Sequence, residues 1–206
     1  CGASCEDWEQ TTTEIDGFGR PIRNHVNVEN PTTGRYESKL VQRFTYFDSE
    51  QPQRVREEHL IDYGGTQWVT TDTTYDGFGR LRTRKTFRFE TGKPDALETF
   101  RYDLEGRLRA VTTPDPSQDT GAVVEYGYQY DSLGRLTSVT RPDTSVVRWS
   151  YDGLRTTRSE SAPTGPLAET TTIDDVFGRL IQVDERVDDT SVASTSYAYD
   201  ALDNVR

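Results

Sequence analysis

The sequence predicts an all-β fold made of tandem antiparallel β-hairpins. A turn motif that opens with Tyr-Asp and closes with Gly-Arg-Leu recurs along the chain, and strand-like runs separate its copies. Threonine is common, and the chain has 11 Tyr, 8 Phe and 3 Trp, residue types that favour half-buried strands. No stretch shows convincing helical periodicity. These observations together predict one long, repetitive β-sheet structure.

Copies of the turn motif occur about every 26 residues over most of the chain. Three copies are complete, two are weaker and three are degenerate. In chain order they contain Asp16 (weaker), Asp48 (degenerate), Asp76, Asp103 and Asp131 (complete), Asp152 (degenerate), Asp175 (weaker) and Asp200 (degenerate). A period of this length predicts about eight copies of one supersecondary unit.

The chemistry of the motif is that of a hairpin tip. Aspartate at the first position of a type I turn accepts a hydrogen bond from a backbone amide two residues later. Glycine at the fourth position adopts positive φ at little steric cost, and the flanking Tyr and Leu lie on paired strands. The residues assigned to these turns are Asp16, Gly19, Arg20, Tyr75, Asp76, Gly79, Arg80, Tyr102, Asp103, Gly106, Arg107, Tyr130, Asp131, Gly134, Arg135, Tyr151, Asp152, Asp175, Gly178, Arg179, Tyr199 and Asp200.

The segments between these turns predict strands and a second set of turns. "GAVVEYGYQYD" and "TSVVRWSYD" alternate apolar and polar residues, whereas "RPDTS" and "APTGP" carry turn signals. One repeat is therefore strand, Tyr-Asp turn, strand and second turn, with about nine residues in each strand. Gln51, Arg155 and Asp203 stand where the turn glycine belongs, so we expect different turns at those three hairpins.

Composition excludes several classes of protein. Only 32% of the residues are hydrophobic and the net charge is −11, but the aromatic content favours a folded chain over a disordered one. The acidic balance, with arginines interleaved among acids, argues against nucleic acid as a partner. No apolar run approaches the roughly 20 residues of a membrane-spanning helix.

The N-terminal residues 1–11 are predicted to form a tail with both cysteines, and residues 12–206 the repeat region. Cys1 is a candidate for lipidation, as the first residue of a mature bacterial lipoprotein. A chain excerpted from a longer protein explains the same N-terminal Cys, and no signal segment is present with which to decide.

The motifs "YDGFGRL", "YDLEGRL" and "YDSLGRL" resemble the YD repeats of RHS-repeat proteins. This family includes bacterial Rhs proteins, cocoon-forming components of Tc toxin complexes and teneurins. The resemblance covers about residues 12–206 and implies a curved, spiralling β-sheet shell, which in bacterial toxins encloses a C-terminal toxic domain. Eight repeats are too few to close such a shell, so the chain is expected to be part of a longer protein.

Reactive groups do not converge in the sequence. His25 and His59 lack metal-like spacing, and no nucleophile, phosphate-binding or zinc-protease motif is present. The acid pairs Asp174–Asp175 and Asp188–Asp189 suit solvated loops better than a calcium site. We therefore expect no enzyme activity, no metal and no cofactor.

Two functions follow as expectations. The first is a structural shell segment of a secreted or cell-surface protein, pairing with flanking repeats and shielding a toxin cargo. The second is an extracellular adhesin or carbohydrate- or protein-binding module, in which tyrosines stack on sugar rings. Equivalent positions in successive repeats favour packing of the tyrosines over sugar binding. Free sheet edges further predict that the segment self-associates or depends on flanking repeats.

Overall fold

The computed structural model describes residues 10–29, 32–61, 66–89, 92–118, 120–161, 168–188 and 190–206. Cys1 and the predicted tail up to residue 9 lie outside these residues. No helix within the described ranges is both long and apolar enough to cross a membrane.

The described residues form fifteen β-strands, each hydrogen-bonded to the next in chain order. Every strand pairing for which partners are assigned is antiparallel, so the predicted all-β hairpin architecture is confirmed. The strands are β1 (Thr11–Ile15), β2 (Pro21–Glu29), β3 (Tyr36–Phe47), β4 (Arg54–Leu60), β5 (Trp68–Tyr75), β6 (Leu81–Thr86), β7 (Ala96–Tyr102), β8 (Leu108–Pro114), β9 (Val123–Tyr130), β10 (Leu136–Thr140), β11 (Val146–Asp152), β12 (Arg155–Ser161), β13 (Ala168–Asp174), β14 (Leu180–Arg186) and β15 (Val192–Ser196).

Strand lengths differ from the expected nine residues in both directions. β3 has 12 residues, whereas β1, β10 and β15 have 5 each. The connections between strands also vary, from two residues between β11 and β12 to nine between β6 and β7.

The chain divides into two compact units, and each is described separately. Unit 1 comprises Cys1–Phe100 with Thr113–Val123, and unit 2 comprises Arg101–Thr112 with Val124–Arg206. In unit 1, the longest assigned ladders join β2 with β3 and β4 with β5, with seven residue pairs each. In unit 2, the β11–β12 pairing also has seven residue pairs.

Few apolar side chains are buried in either unit. Val41 and Leu60 are the buried hydrophobic residues of unit 1, and Ala110 and Val147 those of unit 2, among the residues described. Period-two alternation places Val147, Trp149 and Tyr151 on one face of β11, opposite the exposed Arg148 and Ser150. Because so little apolar surface is removed from water, polar contacts between strands take on a larger share of the stabilisation.

Candidate functional site

The turn between β5 and β6 shows how one repeat motif folds. The Asp76 N–H donates to the Arg80 carbonyl at 2.9 Å, and the Gly79 N–H donates to the Asp76 carbonyl at 3.0 Å. Gly79 has φ of +76°, and the register shifts after Thr74, as in a type I turn followed by a bulge. A substituent at Gly79 would meet no atom within 4 Å, so backbone conformation and not space requires glycine there.

The Asp76 carboxylate fastens this turn from inside. Its Oδ1 accepts the backbone N–H groups of Phe78 (2.9 Å) and Arg80 (3.0 Å), and its Oδ2 accepts the Arg80 Nε–H at 2.7 Å. The hydrogen bond from the Arg80 side chain is the main cause that holds the pKa of Asp76 below its usual value. The backbone hydrogen bonds lower this pKa further, whereas desolvation raises it. We call this arrangement the aspartate clamp.

The aspartate clamp recurs in both units. In each copy the aspartate accepts the arginine backbone N–H at Oδ1 and the arginine Nε–H at Oδ2. The copies are Asp16–Arg20, Asp76–Arg80, Asp103–Arg107, Asp131–Arg135 and Asp175–Arg179. Gly19, Gly106, Gly134 and Gly178 all have positive φ, like Gly79.

The turn at Asp200 differs from the expectation based on its missing glycine. Asp203 occupies the glycine position with φ of +62°, and its N–H donates to the Asp200 carbonyl at 3.1 Å. Asn204 replaces the arginine and donates to Asp200 through both its backbone and its side chain. The hairpin keeps the same turn because aspartate tolerates the left-handed region better than most residues.

Two other degenerate copies do form different turns. Asp152 pairs directly with Arg155, so Gly153 (φ +57°) and Leu154 make a two-residue hairpin without a clamp. After Asp48, the Glu50 N–H donates to the Phe47 carbonyl at 3.1 Å, and the Gln51–Pro52 peptide bond is cis.

Tyrosine hydroxyls connect the clamped turns at Asp16, Asp103, Asp131 and Asp175 to the hairpin that follows each of them. Tyr130 Oη donates to the Leu108 carbonyl at 2.9 Å, and Tyr151 Oη donates to the Leu136 carbonyl at 2.8 Å. In these four copies the acceptor is the residue directly after the clamp arginine of the earlier turn. The same bond joins Tyr46 to Pro21 at 2.9 Å and Tyr199 to Leu180 at 2.7 Å.

The clamp arginine of the earlier turn contacts the linking tyrosine as well. Its guanidinium lies over the same tyrosine ring, at 3.9 Å from the centroid for Arg20 over Tyr46 and at 4.2 Å for Arg135 over Tyr151. Arg20 also forms a bidentate pair with Asp48 of the next turn, at 2.8 and 2.9 Å. Arg179 reaches forward in the same way to Asp203, at 2.6 Å. We call the combined contact the Arg–Tyr link.

Tyr46 was not among the tyrosines predicted for the repeat. The sequence places Phe47 directly before Asp48, and Tyr46 one residue earlier takes the linking role. Burial is the first cause that raises the pKa of Tyr46 above its usual value, so its hydroxyl remains a donor at neutral pH. A search for tyrosine one residue to either side of the expected position would have found it.

Tyr75 and Tyr102 occupy the predicted positions at the ends of β5 and β7. Tyr75 faces Leu81 across the bulge and donates its backbone N–H to the Gln53 carbonyl at 2.9 Å. Tyr102 lines a groove of about 550 Å³ together with Tyr128, Tyr130 and Thr137 in unit 2.

The pairing of β12 with β13 is made differently. The preceding turn has no clamp, and Asp174 stands where tyrosine occurs in the other repeats. Besides the strand ladder, the bonds there include the Asp174 N–H to the Leu154 carbonyl at 3.0 Å, the hydroxyls of Thr157 and Thr171 at 3.0 Å, and the Thr172 hydroxyl to the Thr156 carbonyl at 3.4 Å. Within the described part of unit 2, this junction carries no Arg–Tyr link.

Replacing Tyr151 with phenylalanine tests the link. We expect the free energy of unfolding to fall by about 1 kcal/mol, because one hydrogen bond is lost and the Leu136 carbonyl loses its partner. Denaturant titration measures the change. Tyr126→Phe is the matched control in the same unit, since that hydroxyl donates to no residue among those described, and an equal loss in both variants would contradict the link.

Thr144 offers a stabilising substitution. The Arg141–Ser145 turn has the bonding of a repeat turn, with Thr144 at the glycine position and φ of +68°. A β-branched residue is strained there, so Thr144→Gly is expected to raise the free energy of unfolding by about 1 kcal/mol. The converse change Gly134→Thr, at φ of +81°, should lower it. Denaturation midpoints that shift in the same direction for both variants would disprove this assignment.

The clamp aspartates predict loss of stability in acid. Their pKa values are lowered in the folded chain, so the stability they contribute is present above the ordinary aspartate pKa and is lost as the pH falls through the folded values. We expect the denaturation midpoint to be flat near neutral pH and to decline below about pH 5. A midpoint that holds constant down to pH 3 would refute it.

Other chemically active residues stay apart. His25 lies 3.8 Å from Glu14, whereas His59 lies on β4, opposite Gln42 and Val69. Among the residues described, no three His, Cys, Asp or Glu side chains are grouped so that they could hold a metal ion. Asp188 accepts hydrogen bonds from Thr190 in its loop, and Asp189 lies outside the described residues.

Comparison with known proteins agrees with this geometry. Residues 130–165 match the family model of the RHS repeat. The whole chain resembles a chain in the crystal structure of TcdB2-TccC3-Cdc42, with a TM-score of 0.57 and 16% sequence identity. That alignment covers 97% of this chain and 13% of the other, so this chain spans about an eighth of the length of its structural neighbour. No curated protein matches the sequence. The recurring motif, the family match over residues 130–165 and the shared fold support the resemblance to RHS/YD-repeat proteins.

Proposed function

We propose that the chain is a non-catalytic structural segment of an RHS-type β-sheet shell, which shields a polypeptide cargo such as a toxin domain in a secreted or cell-surface protein. The observation that carries the proposal is that the polar residues of each repeat bind one another. Clamp aspartates bind clamp arginines, and these arginines bind the tyrosine or the turn of the next hairpin. These side chains hold neighbouring hairpins together, so few of them are available to act on a substrate.

The sheet edges support a place within a larger assembly. All five residues of β1 and all five of β15 are exposed, and each strand has one assigned neighbour among the residues described. β15 carries no charge or proline, the usual protections against pairing with another strand. We propose that flanking repeats pair with these edges and that the isolated chain self-associates through them.

Native isolation followed by intact mass spectrometry and limited proteolysis tests the shell. We expect the repeat region in a species heavier than 23.4 kDa, with a second polypeptide that resists protease until the repeats are unfolded. In a variant that combines Tyr151→Phe with Tyr199→Phe, this protection should weaken at lower denaturant than in a Tyr126→Phe control. A free 23.4 kDa monomer without a protected polypeptide would overturn the proposal.

A binding module is the second candidate, and the tyrosine-lined groove in unit 2 favours it. Tyr102, Tyr128 and Tyr130 line this groove with Arg109 and Gln129, a mixture of rings and planar polar groups that suits a neutral sugar. Glycan-array binding that is lost in Tyr128→Ala and retained in Tyr126→Ala would support an adhesin. Absence of binding to any glycan would remove this candidate and leave the shell untouched.

A further inference from the structure

Three hairpin tips in the chain contain an Asp-Gly bond: Asp16–Gly17, Asp76–Gly77 and Asp152–Gly153. This dipeptide is prone to a spontaneous rearrangement because glycine leaves its backbone nitrogen sterically open. The nitrogen attacks the aspartate Cγ and an N–Cγ bond forms, while the N–H and Cγ–O bonds break and the carboxyl OH leaves as water with the amide proton. Water then opens the succinimide at either carbonyl and gives aspartate or isoaspartate, with no net change in composition.

The aspartate clamp opposes this reaction at two of the three bonds. Asp16 Oδ1 accepts the Phe18 N–H (2.8 Å) and the Arg20 N–H (3.0 Å), and its Oδ2 accepts the Arg20 Nε–H at 2.8 Å. Asp76 has the same set of donors. The hydrogen bonds fix both carboxylates in one orientation, and they favour the ionised form, from which oxygen departs poorly as water.

Asp152 lacks this protection although its sequence is the same. Asp152 is exposed and its side chain accepts no hydrogen bond from the described residues, because in the two-residue turn Arg155 faces Asp152 as a strand-ladder partner and not as a clamp arginine. The following Gly153 is also exposed, and nothing lies within 4 Å of the place where its side chain would start. The carboxyl group can therefore rotate toward the Gly153 nitrogen without breaking a side-chain contact.

We propose that Asp152–Gly153 is a site of spontaneous isoaspartate formation, and that the clamped bonds Asp16–Gly17 and Asp76–Gly77 are protected in the folded protein. In isoaspartate the main chain runs through Cβ and Cγ, so it is one methylene group longer. This extra length lies next to the ladder pairing of Asp152 with Arg155. The altered tip adjoins the β12–β13 junction through the bond from Asp174 to Leu154. Modification at Asp152 therefore loosens the junction that has no Arg–Tyr link.

Incubation of the folded protein in ¹⁸O-labelled water, followed by peptide mapping, tests the proposal, since each passage through the succinimide incorporates one solvent oxygen. We expect the peptide with Asp152 to gain the label several-fold faster than those with Asp16 and Asp76. In urea, where every clamp is absent, the three peptides should label at similar rates. Equal labelling in the folded protein, or slower labelling at Asp152, would overturn the proposal.

Two variants separate the clamp from the local sequence. Asp152→Glu should abolish labelling at that tip, because the longer side chain forms the six-membered ring far more slowly. Arg20→Gln should raise the rate at Asp16 toward that at Asp152 while Asp76 stays slow. If the Arg20 variant does not fold, the comparison between folded and urea-unfolded wild-type chain still decides the outcome.

Discussion

Replacing Asp72 with alanine is expected to lower the free energy of unfolding of unit 1 by about 2 kcal/mol. Asp72 is 9% exposed and lies on β5, where it accepts hydrogen bonds from two arginines of β4. Arg56 binds it at 2.7 and 2.8 Å, and Arg54 binds it at 3.0 Å. Loss of the carboxylate leaves Arg56 without this partner, whereas Arg54 keeps its pair with Glu50 at 2.8 and 2.9 Å. The remaining solvent contact of the two arginines keeps the expected loss below that of a fully buried pair.

Hydrogen exchange resolved along the chain measures this effect where it arises. Faster exchange should appear in β3–β6, and β9–β12 of unit 2 should remain unchanged. Glu98→Ala is the matched control, because it breaks an exposed pair with Arg84 (3.3 Å) and such pairs contribute less than about 1 kcal/mol. Similar losses in the two variants would show that Asp72 acts as an ordinary surface charge.

Shortening Leu60 to alanine is expected to lower the free energy of unfolding by about 3 kcal/mol. Leu60 is 4% exposed, and its neighbour across the β4–β5 ladder is Trp68, whose ring lies 4.9 Å from the Arg43 guanidinium. In a unit whose described residues include two buried hydrophobic side chains, the cavity removes a large share of the apolar contact.

Leu104→Ala provides the same chemical change at a fully exposed turn tip, and we expect it to alter stability by less than about 0.5 kcal/mol. Denaturant titrations of both variants under one buffer measure the difference. A loss at Leu60 no larger than that at Leu104 would mean that the apolar pair of β4 and β5 contributes little.

The turns could be predicted because their chemistry is local. Asp76, Gly79 and Arg80 lie within five residues, so spacing alone indicates the clamp geometry. The Arg–Tyr link depends on which carbonyl a tyrosine reaches in the preceding hairpin, and the register of strand pairing sets that distance. Spacing predicted that equivalent tyrosines would pack between hairpins, but it did not identify their acceptors.

Features that break the repeat were the hardest to predict. Asp203 keeps the common turn without glycine, because an aspartate can take positive φ when its neighbours supply the bonds. Asp72 sits in a polar run of β5 that gives no sign of burial, and its partners two residues apart on β4 become visible once the strands are aligned. Both cases depend on tertiary context that overrides local preference.

The direction of the Arg–Tyr link has a consequence for synthesis on the ribosome. Each arginine belongs to the earlier hairpin and each tyrosine to the later one, as with Arg135 and Tyr151. A ribosome adds about 5–20 residues per second, so the next repeat of the chain emerges seconds after the previous hairpin has had time to form. At each linked hairpin the nascent chain therefore waits with an arginine and a carbonyl that have no tyrosine yet. We therefore expect the linked hairpins to assemble from the N-terminus, and a pause in translation to hold assembly at a defined hairpin.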